Sequence, residues 1–440
     1  MHPPPDRATV RRARTLFVLA LGAFVATAAW LVFGHHLGDL QALGIPTMDP
    51  RFADARTISG ASVALAQGLD PLVSNPGDPW GRAMNYPRIW LAFAHLGLGP
   101  ADTRYLALAF LLAFGSGLLL LLPMARTASI AIVLATALFS PAVWLAVERA
   151  NNDLLLFGLV AAAAWLVAHR PRLASTCIGA AAVLKLFPIF ALTGLATSTA
   201  RGTLRLALPV AVAFGAYVGL IHGDLALIQV HTVHWNRIAY GIDQLPNALA
   251  AQTGWSLVPL LVAAAAALLL AFTVSFAARL RARLGAATTT HSLPAFRIGA
   301  AIYVGSFCLG SNFDYRLIFL LLTIPQLATW VATTRSVARA SAVTLLGVLV
   351  LLMWGMTWRL WLYRAVGAEA PGLMLDEALS WALAIGMLAA LVLSMPDWML
   401  PAGRRGTAFL DAARSGAGLP LPIEQPPHPH RETASHEASG

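Results

Sequence analysis

The stretch at residues 102–124, DTRYLALAFLLAFGSGLLLLLPM, decides the class of fold. Its apolar part has no charged residue between Tyr105 and Leu122, and a helix of about 20 apolar residues can cross the hydrocarbon core of a membrane. Similar runs recur along most of the 440 residues, of which 58% are hydrophobic and 11% charged. The mean hydropathy is +0.69, whereas soluble domains carry about 25% charged residues. These values exclude ordinary soluble enzymes and collagen-like chains, and they predict an all-α polytopic membrane protein.

The apolar runs predict a bundle of about twelve transmembrane helices, with a range of roughly 10 to 13. They lie near residues 15–33, 102–124, 128–147, 151–169, 173–185, 187–200, 206–221, 254–277, 297–310, 315–333, 340–361 and 378–396. Two short pieces meet at Lys185-Leu-Phe-Pro188, which predicts a broken pair with its junction on the outer side. The first run also resembles a signal peptide, but its length and the later spans favour a retained helix.

The basic residues form small clusters at the ends of apolar runs, which is typical of the positive-inside pattern rather than of a nucleic-acid-binding surface. Placing these clusters in the cytoplasm gives a cytoplasmic arm at 1–14, a membrane domain at 15–400 and a disordered cytoplasmic tail at 401–440. Both termini are then cytoplasmic. Most carboxylates fall on the external side, so chemistry is expected at the outer face of the plasma (inner) membrane. The two cysteines are far apart and predict neither a disulfide framework nor a thiolate metal site.

The first external loop, residues 34–101, holds an alanine-rich segment that predicts a helix from near Arg51 to Gly68. Asp54 falls in the first turn of this helix, and Asp49 precedes it. Either carboxylate is a candidate for catalysis. The alternative is that one of them caps the helix and complements its dipole.

Three polar clusters interrupt the apolar runs at the predicted external boundary: ERANND at 148–153, KLFP at 185–188 and GSNFDYR at 310–316. Ionisable residues in such places usually line a site or a pathway. The candidates are Glu148, Asn152, Asp153, Lys185, Asp314 and Arg316. Two alternatives stay open, since Arg316 can snorkel to the interface or form an ion pair with Asp314 that fixes the turn.

A further external segment, residues 222–243, contains several histidines. One interpretation is a divalent metal held by ligands such as His231 and His234, although the spacing matches no strong motif. The others are contact of His234 with the acceptor or a lipid headgroup, and an interfacial segment anchored by Trp235 and Tyr240. No metal or other cofactor is therefore predicted.

The order of these motifs resembles the GT-C superfamily of glycosyltransferases, and within it family 87, the polyprenol-phosphate-mannose-dependent mannosyltransferases. An early external Asp is followed about fourteen residues later by Gly-x-Asp-Pro at 68–71, then by Tyr86-Pro87, an Asn-containing helix start and Lys-x-x-Pro at 185–188. Counting back from Gly68, the resemblance places the catalytic aspartate on Asp54 rather than Asp49. The sequence departs from the family pattern at 57–59, where Thr-Ile-Ser replaces a Tyr-rich stretch, and at 86–88, where Tyr-Pro-Arg replaces Tyr-Pro-Pro.

The resemblance implies a multi-pass enzyme that moves a hexosyl or mannosyl group, with inversion, from a polyprenyl phosphate to a lipid or glycan acceptor. Such a transfer needs one carboxylate to accept the proton of the acceptor and cations to hold the departing phosphate. Asp54 suits the first role, and Lys185, Arg316 and Arg88 suit the second. The remaining candidates for substrate contact are Tyr86, Glu148, Asn152, Asp153, Asp314 and His234.

Two other functions compete with this hypothesis. Intramembrane Lys, Arg and Asp also mark the path of a transporter or flippase for a lipid-linked saccharide, and a non-catalytic membrane scaffold is the third option. A transporter needs polar groups near the midplane that are accessible from both sides, whereas the predicted topology gathers them externally. The absence of an evident internal repeat in the sequence also disfavours transporters built from duplicated halves.

Overall fold

The computed structural model describes residues 5–34, 37–232, 236–244, 292–334 and 336–399, together with positions 247, 266 and 270. This part of the chain is almost entirely helical, which confirms the all-α prediction. The α-helices are α1 Arg7–Ala28, α2 Leu37–Ala42, α3 Ala53–Ala66, α4 Ala92–His95, α5 Thr103–Leu121, α6 Ala128–Leu138, α7 Pro141–Arg149, α8 Asp153–Leu166, α9 Pro171–Leu184, α10 Ala200–Leu220, α11 His222–Val230, α12 Leu293–Leu309, α13 Ile324–Thr333, α14 Ser336–Met353, α15 Gly355–Val366 and α16 Ala370–Ser394.

Shorter elements connect these helices. The 3-10 helices are Arg88–Leu91, Pro100–Asp102, Leu122–Met124, Phe187–Leu195, Asn236–Ile238, Asp314–Leu322 and Asp397–Met399, and a short π-helix at Ala29–Phe33 extends α1. Two short strands, β1 Ala239–Tyr240 and β2 Asn312–Phe313, pair antiparallel with Ala239 opposite Phe313. The chain divides into a unit from Met1 to Pro396 and a second unit from Asp397 to Gly440. The predicted tail at 401–440 lies outside the described residues.

The chain is a multi-pass membrane protein. Four helical segments are long and apolar enough to cross a bilayer, namely Arg7–Leu31, Pro100–Met124, Ala200–Leu220 and Ala370–Ser394. Up to seven such spans result among the described residues if each of three bent helix pairs is one span, with bends of 50°, 49° and 69°. The outward surface of α10 agrees with contact to lipid, because this helix buries only Thr203 and exposes Leu204, Leu208 and Val212.

The predicted spans fall on helical elements wherever the structure describes them, but several are not straight. The run at 128–147 is the pair α6–α7, the run at 315–333 is a 3-10 helix followed by α13, and the run at 340–361 bends between α14 and α15. The break at Lys185 is confirmed, since α9 ends at Leu184, Lys185 is extended and a 3-10 helix begins at Phe187. The run at 254–277 lies outside the described residues.

Close helix packing through small residues joins α5 to α8. A Cβ added at Gly158 would lie 2.5 Å from the carbonyl oxygen of Ala113, and one at Gly117 would lie 2.9 Å from the ring of Phe157. Small residues let two membrane helices approach until their backbones touch. This contact holds the start of α8, and with it residues 151–153, in a fixed position beside the rest of the bundle.

The predicted helix in the first loop is α3. Its start is the left-handed residue Phe52, and Gly68, with φ of +70°, follows its end as predicted. A second close approach holds the loop against α3, because a Cβ at Gly77 would lie 2.3 Å from the carbonyl oxygen of Gly60. The two glycines therefore bring Asp78 and Arg82 next to the first turn of α3, where Asp54 lies.

Candidate functional site

Asp54 occupies the first turn of α3, as predicted, and its carboxylate faces other side chains rather than the helix terminus. Its Oδ2 accepts a hydrogen bond from Nδ2 of Asn151 at 2.6 Å, and its Oδ1 lies 3.5 Å from Nη1 of Arg82. No side chain caps α3 at Phe52. Asp54 is therefore not the N-cap of α3, although a carboxylate in the first turn still complements the helix dipole.

Asn151 links Asp54 to the predicted cation Lys185. Its Oδ1 accepts from Nζ of Lys185 at 3.3 Å and from the backbone amide of Asp153 at 2.8 Å, while its Nδ2 donates to Asp54. The side chain of Asn151 is fully buried. One amide group thus fixes the orientation of the carboxylate and the ammonium relative to each other.

Asp153 compensates two cations at once. Its Oδ1 lies 2.7 Å from Nζ of Lys185, and its Oδ2 lies 3.4 Å from Nε of Arg316. Asn152 adds a second acceptor for Lys185 at 2.8 Å, and Asn312 accepts from Nη1 of Arg316. A buried charge is costly unless it is paired and hydrogen-bonded, so these contacts explain how the two cations are accommodated side by side.

Aromatic rings surround the two cations. Nζ of Lys185 lies 5.3 Å from the ring centre of Tyr86 and 5.6 Å from that of Tyr315, and the guanidinium of Arg316 stacks 4.1 Å over Phe187. Such cation–π contacts are favourable where water is excluded. Burial raises the pKa of Tyr86 well above its usual value, so its hydroxyl stays protonated at neutral pH and can donate a hydrogen bond.

A cavity of about 380 Å³ opens beside Asp54. Its polar lining includes Asp54, Arg82, Arg149, Tyr86 and Tyr315. The full set of lining residues is Pro46, Thr47, Met48, Asp54, Thr57, Arg82, Ala83, Asn85, Tyr86, Leu145, Arg149, His231, Ile238, Phe313 and Tyr315. The cavity therefore combines a carboxylate, two guanidinium groups and two phenols, which are groups that bind sugar hydroxyls and anions.

Glu148 and Arg149 support the loop that leads to α3. Glu148 is fully buried, its Oε1 accepts from the amide of Met48 at 2.7 Å, and its Oε2 lies 3.0 Å from Nε of Arg149. Arg149 in turn donates to the carbonyl oxygen of Pro46 at 2.8 Å and contacts Met48. These contacts give Glu148 a positioning role behind the cavity wall, whereas Arg149 itself lines the cavity.

Arg88 does not line this cavity. Its guanidinium lies between two carboxylates, with Nη2 at 2.7 Å from Asp70 and Nε at 2.9 Å from Asp224. The hydrogen bond from Arg88 lowers the pKa of Asp70, and those from Arg88 to Asp70 and Asp224 raise the pKa of Arg88 against the opposing effect of burial. A phosphate group at Arg88 would have to displace both carboxylates.

The suggested ion pair between Asp314 and Arg316 is wrong. Asp314 instead pairs with Arg359, 3.1 Å away, and Arg359 also lies 3.1 Å from Asp376. The reason is geometric: residues 314–322 form a 3-10 helix with three residues per turn, so positions i and i+2 point to different sides. Asp314 is thereby buried in a separate ionic cluster, and Arg316 is turned towards Asp153.

Asp49 is a predicted residue that the structure does not bring into the network. Asp49 is exposed, precedes Pro50 in a cis peptide bond and does not line the cavity. His234 and Trp235 lie outside the described residues. His231, three residues before His234, lines the cavity. Among the described residues, no group of three or more His, Cys, Asp or Glu side chains is arranged to hold a metal ion.

The structure adds residues that sequence reasoning missed, chiefly Arg82, Asp78, Asn151 and Tyr315. Arg82 bonds Asp78 at 2.8 Å through the i,i+4 spacing. Burial opposes the charge of Arg82, but the hydrogen bond that Arg82 donates to Asp78 and the charges of Asp54 and Asp78 raise the pKa of Arg82 overall. The i,i+4 pair was the one local signal available in the sequence.

Comparison with known proteins gives one family match. The sequence model of glycosyltransferase family 87 matches residues 87–303, which include Asn151, Asp153 and Lys185. No curated protein shows significant similarity to the chain.

Two crystal structures of ArnT from Cupriavidus metallidurans are similar to this chain. The apo structure has 14% identity and a TM-score of 0.32 over 89% of this chain and 80% of that one. The structure bound to undecaprenyl phosphate has 16% identity and a TM-score of 0.33 over 91% and 81%. The match to the family model covers just under half of the chain.

Proposed function

The sequence model of glycosyltransferase family 87 matches residues 87–303, and on this ground we propose that the chain is a membrane glycosyltransferase of the GT-C superfamily. We propose that it transfers a hexosyl group, such as mannosyl, from a polyprenyl phosphate to a lipid or glycan acceptor. The donor lipid, the sugar, the inversion at the anomeric carbon and the catalytic base are parts of the proposal.

Asp54 is proposed as the general base. It takes the proton of the acceptor hydroxyl while the hydroxyl oxygen bonds to the anomeric carbon of the sugar. The bond between that carbon and the phosphate oxygen breaks, and the polyprenyl phosphate leaves with the electron pair. Attack from the face opposite the leaving group inverts the anomeric carbon. Because the leaving group is already a phosphate anion, a second acid is not needed, unlike in glycoside hydrolysis.

The departing phosphate needs cations on the other side of the anomeric carbon. Lys185 and Arg316 are proposed for this role, since their charges are adjacent and are shared by the single carboxylate Asp153. A phosphate dianion that replaces part of this pairing gains charge-assisted hydrogen bonds from both cations. Arg82 and Arg149 reach the cavity from the Asp54 side and are proposed to bind the sugar hydroxyls or the phosphate.

The observation that carries the proposal is the hydrogen-bonded path from Asp54 through Asn151 to Lys185. A base and an anion site that are separated by one side-chain amide are close enough to act on the two ends of one reacting carbon. The path connects residues from three distant parts of the sequence, which lie in α3, before α8 and after α9.

The cellular location of the site is a further part of the proposal. The site is proposed to face the external side of the plasma (inner) membrane with both termini in the cytoplasm, because arginine clusters favour the cytoplasmic side. Reporter fusions at Arg126 and Arg170 should report a cytoplasmic position, and a fusion at Gly77 an external one. A cytoplasmic Gly77 would overturn the external assignment.

The transfer activity is tested by incubating purified protein with a panel of polyprenyl-phosphate sugars labelled in the sugar. We expect label to leave the lipid for at least one sugar when a membrane extract supplies the acceptor. Lys185→Ala should weaken use of the donor far more than it lowers the amount of folded protein. Label that crosses a vesicle membrane while still attached to its lipid would instead identify a flippase.

A further inference from the structure

Four arginines near the start of α1 form a basic groove. Arg7, Arg11 and Arg14 line it from the start of α1, and Arg126 lines it from the segment that follows α5. The groove has a volume of about 600 Å³, and its other lining residues are Pro5, Val10, Thr15, Val18 and Leu19. We call this set the arginine groove.

The helical spacing places these arginines on one face. Positions 7, 11 and 14 are separated by four and three residues, so they share one side of α1. The turn Leu122–Met124, which ends the α5 segment, packs against α1 and brings Arg126 to the same place. Since both segments are long and apolar enough to cross a bilayer, the arginines lie where a membrane helix leaves the hydrocarbon core.

Within the part of the chain that the structure describes, no carboxylate pairs with the arginines of the groove. All four arginines are outside the ion pairs formed among the described residues. Arg7, Arg11 and Arg14 are exposed, and Arg126 is also exposed. Four neighbouring cations repel each other, so an anion in the groove would relieve their repulsion as well as bind to their guanidinium forks.

The same helix face becomes apolar as it continues away from the arginines. Val18 is 47% exposed and Val25 is 58% exposed, and both lie on the stripe of Arg7, Arg11 and Arg14. The neighbouring Leu19 is 64% exposed and lines the groove. A ligand that matches this stripe has an anionic head and apolar chains that run along the membrane helix.

We infer that the arginine groove binds the headgroup of an anionic phospholipid, with its phosphodiester between the guanidinium groups and its acyl chains along Val18, Leu19 and Val25. Basic pockets between membrane helices at the cytoplasmic side are suited to such headgroups. This site is separate from the Asp54 cavity and does not depend on glycosyl transfer.

The test uses the full-length protein in neutral detergent, freed of lipid, and measures lipid binding by native mass spectrometry. Phosphatidylglycerol is compared with phosphatidylcholine of the same chains. We expect a preference for phosphatidylglycerol that falls by more than about 10-fold when Arg7, Arg11, Arg14 and Arg126 are all changed to Gln, since each basic residue near an anionic lipid adds to the affinity.

The matched control removes the same charge elsewhere, with Arg12→Gln, Arg172→Gln, Arg201→Gln and Arg205→Gln. These arginines are exposed and lie outside the groove, so this variant should keep the preference. The melting temperatures of both variants without lipid should agree, which excludes unfolding as the cause. The inference fails if the two lipids bind equally, if the groove variant keeps the preference, or if the control variant loses it. It also fails if the full-length chain binds neither lipid at low salt.

Discussion

The network around Asp54 and the arginine groove treat positive charge in opposite ways. In the network, Lys185 and Arg316 share Asp153, and Arg82 bonds Asp78. In the groove, the four arginines are exposed and form no ion pair among the described residues. Buried charges must be paired to be tolerated, whereas exposed charges stay solvated. The comparison indicates that the network is preorganised by its own carboxylates, whereas the arginines of the groove are solvated and accessible to an anion from outside.

The largest effect on stability is expected where the network loses the carboxylate shared by two cations. Asp153→Asn leaves Lys185 and Arg316, whose side chains are only 13% and 15% exposed, without their shared carboxylate. Breaking a buried pair costs about 3–5 kcal/mol of unfolding free energy, and the loss here should approach that range. Arg11→Gln in the groove is the control and should change it by less than about 0.5 kcal/mol. Reversible unfolding of both variants in mixed detergent measures the difference. Equal effects would remove the distinction between the two regions.

A smaller effect is expected when the orientation of the base is altered. Asn151→Leu removes the hydrogen bond to Asp54, and a misplaced catalytic group can lower turnover by about 10². Asn152→Leu is the matched control, because Asn152 contacts Lys185 but not Asp54. We expect Asn151→Leu to lower mainly kcat and Asn152→Leu to raise mainly the KM for the donor. The same kcat and KM change in both variants would contradict a positioning role for Asn151.

Local sequence signals were sufficient to predict those features of the site that depend on a single segment of the chain. Gly68 marks the end of α3 and so places Asp54 in its first turn, and Pro188 marks the break after Lys185. Both signals act through backbone geometry within a few residues. The helical class and most predicted spans follow from the apolar runs for the same reason.

The partners of charged residues could not be predicted in this way, since they depend on how distant segments pack. Arg359 follows Asp314 by 45 residues, and Arg316 finds Asp153 instead of the nearby Asp314 because a 3-10 helix turns the two side chains apart. Asn151 was part of a recognised polar cluster, yet only the packing of α5 against both α8 and α3 places its amide between Asp54 and Lys185.

The smallest effect is expected at the exposed end of the first loop. The hydrogen bond that Arg88 donates to Asp70 lowers the pKa of Asp70. The pair therefore stabilises the fold fully at pH values above the ordinary aspartate pKa of about 3.9. This stabilisation is lost as the pH falls through the lowered pKa of Asp70. Because Arg88 is 40% exposed, the contribution should be below about 1 kcal/mol. Asp70→Asn should therefore flatten the acid limb of the stability profile slightly, and an unchanged limb would refute the pairing.

The most direct test of the central claim compares Asp54→Asn with Asp49→Asn in the transfer of labelled sugar from polyprenyl phosphate. Asn keeps the size and the hydrogen-bonding oxygen of Asp but cannot take the proton of the acceptor. Asp54→Asn should therefore lower turnover by about 10² to 10⁴ while the protein still inserts and binds donor. Asp49, which is exposed and outside the cavity, should tolerate the change. Normal transfer by Asp54→Asn together with loss in Asp49→Asn would contradict the assignment of the base, and normal transfer by both would place the base outside the first loop.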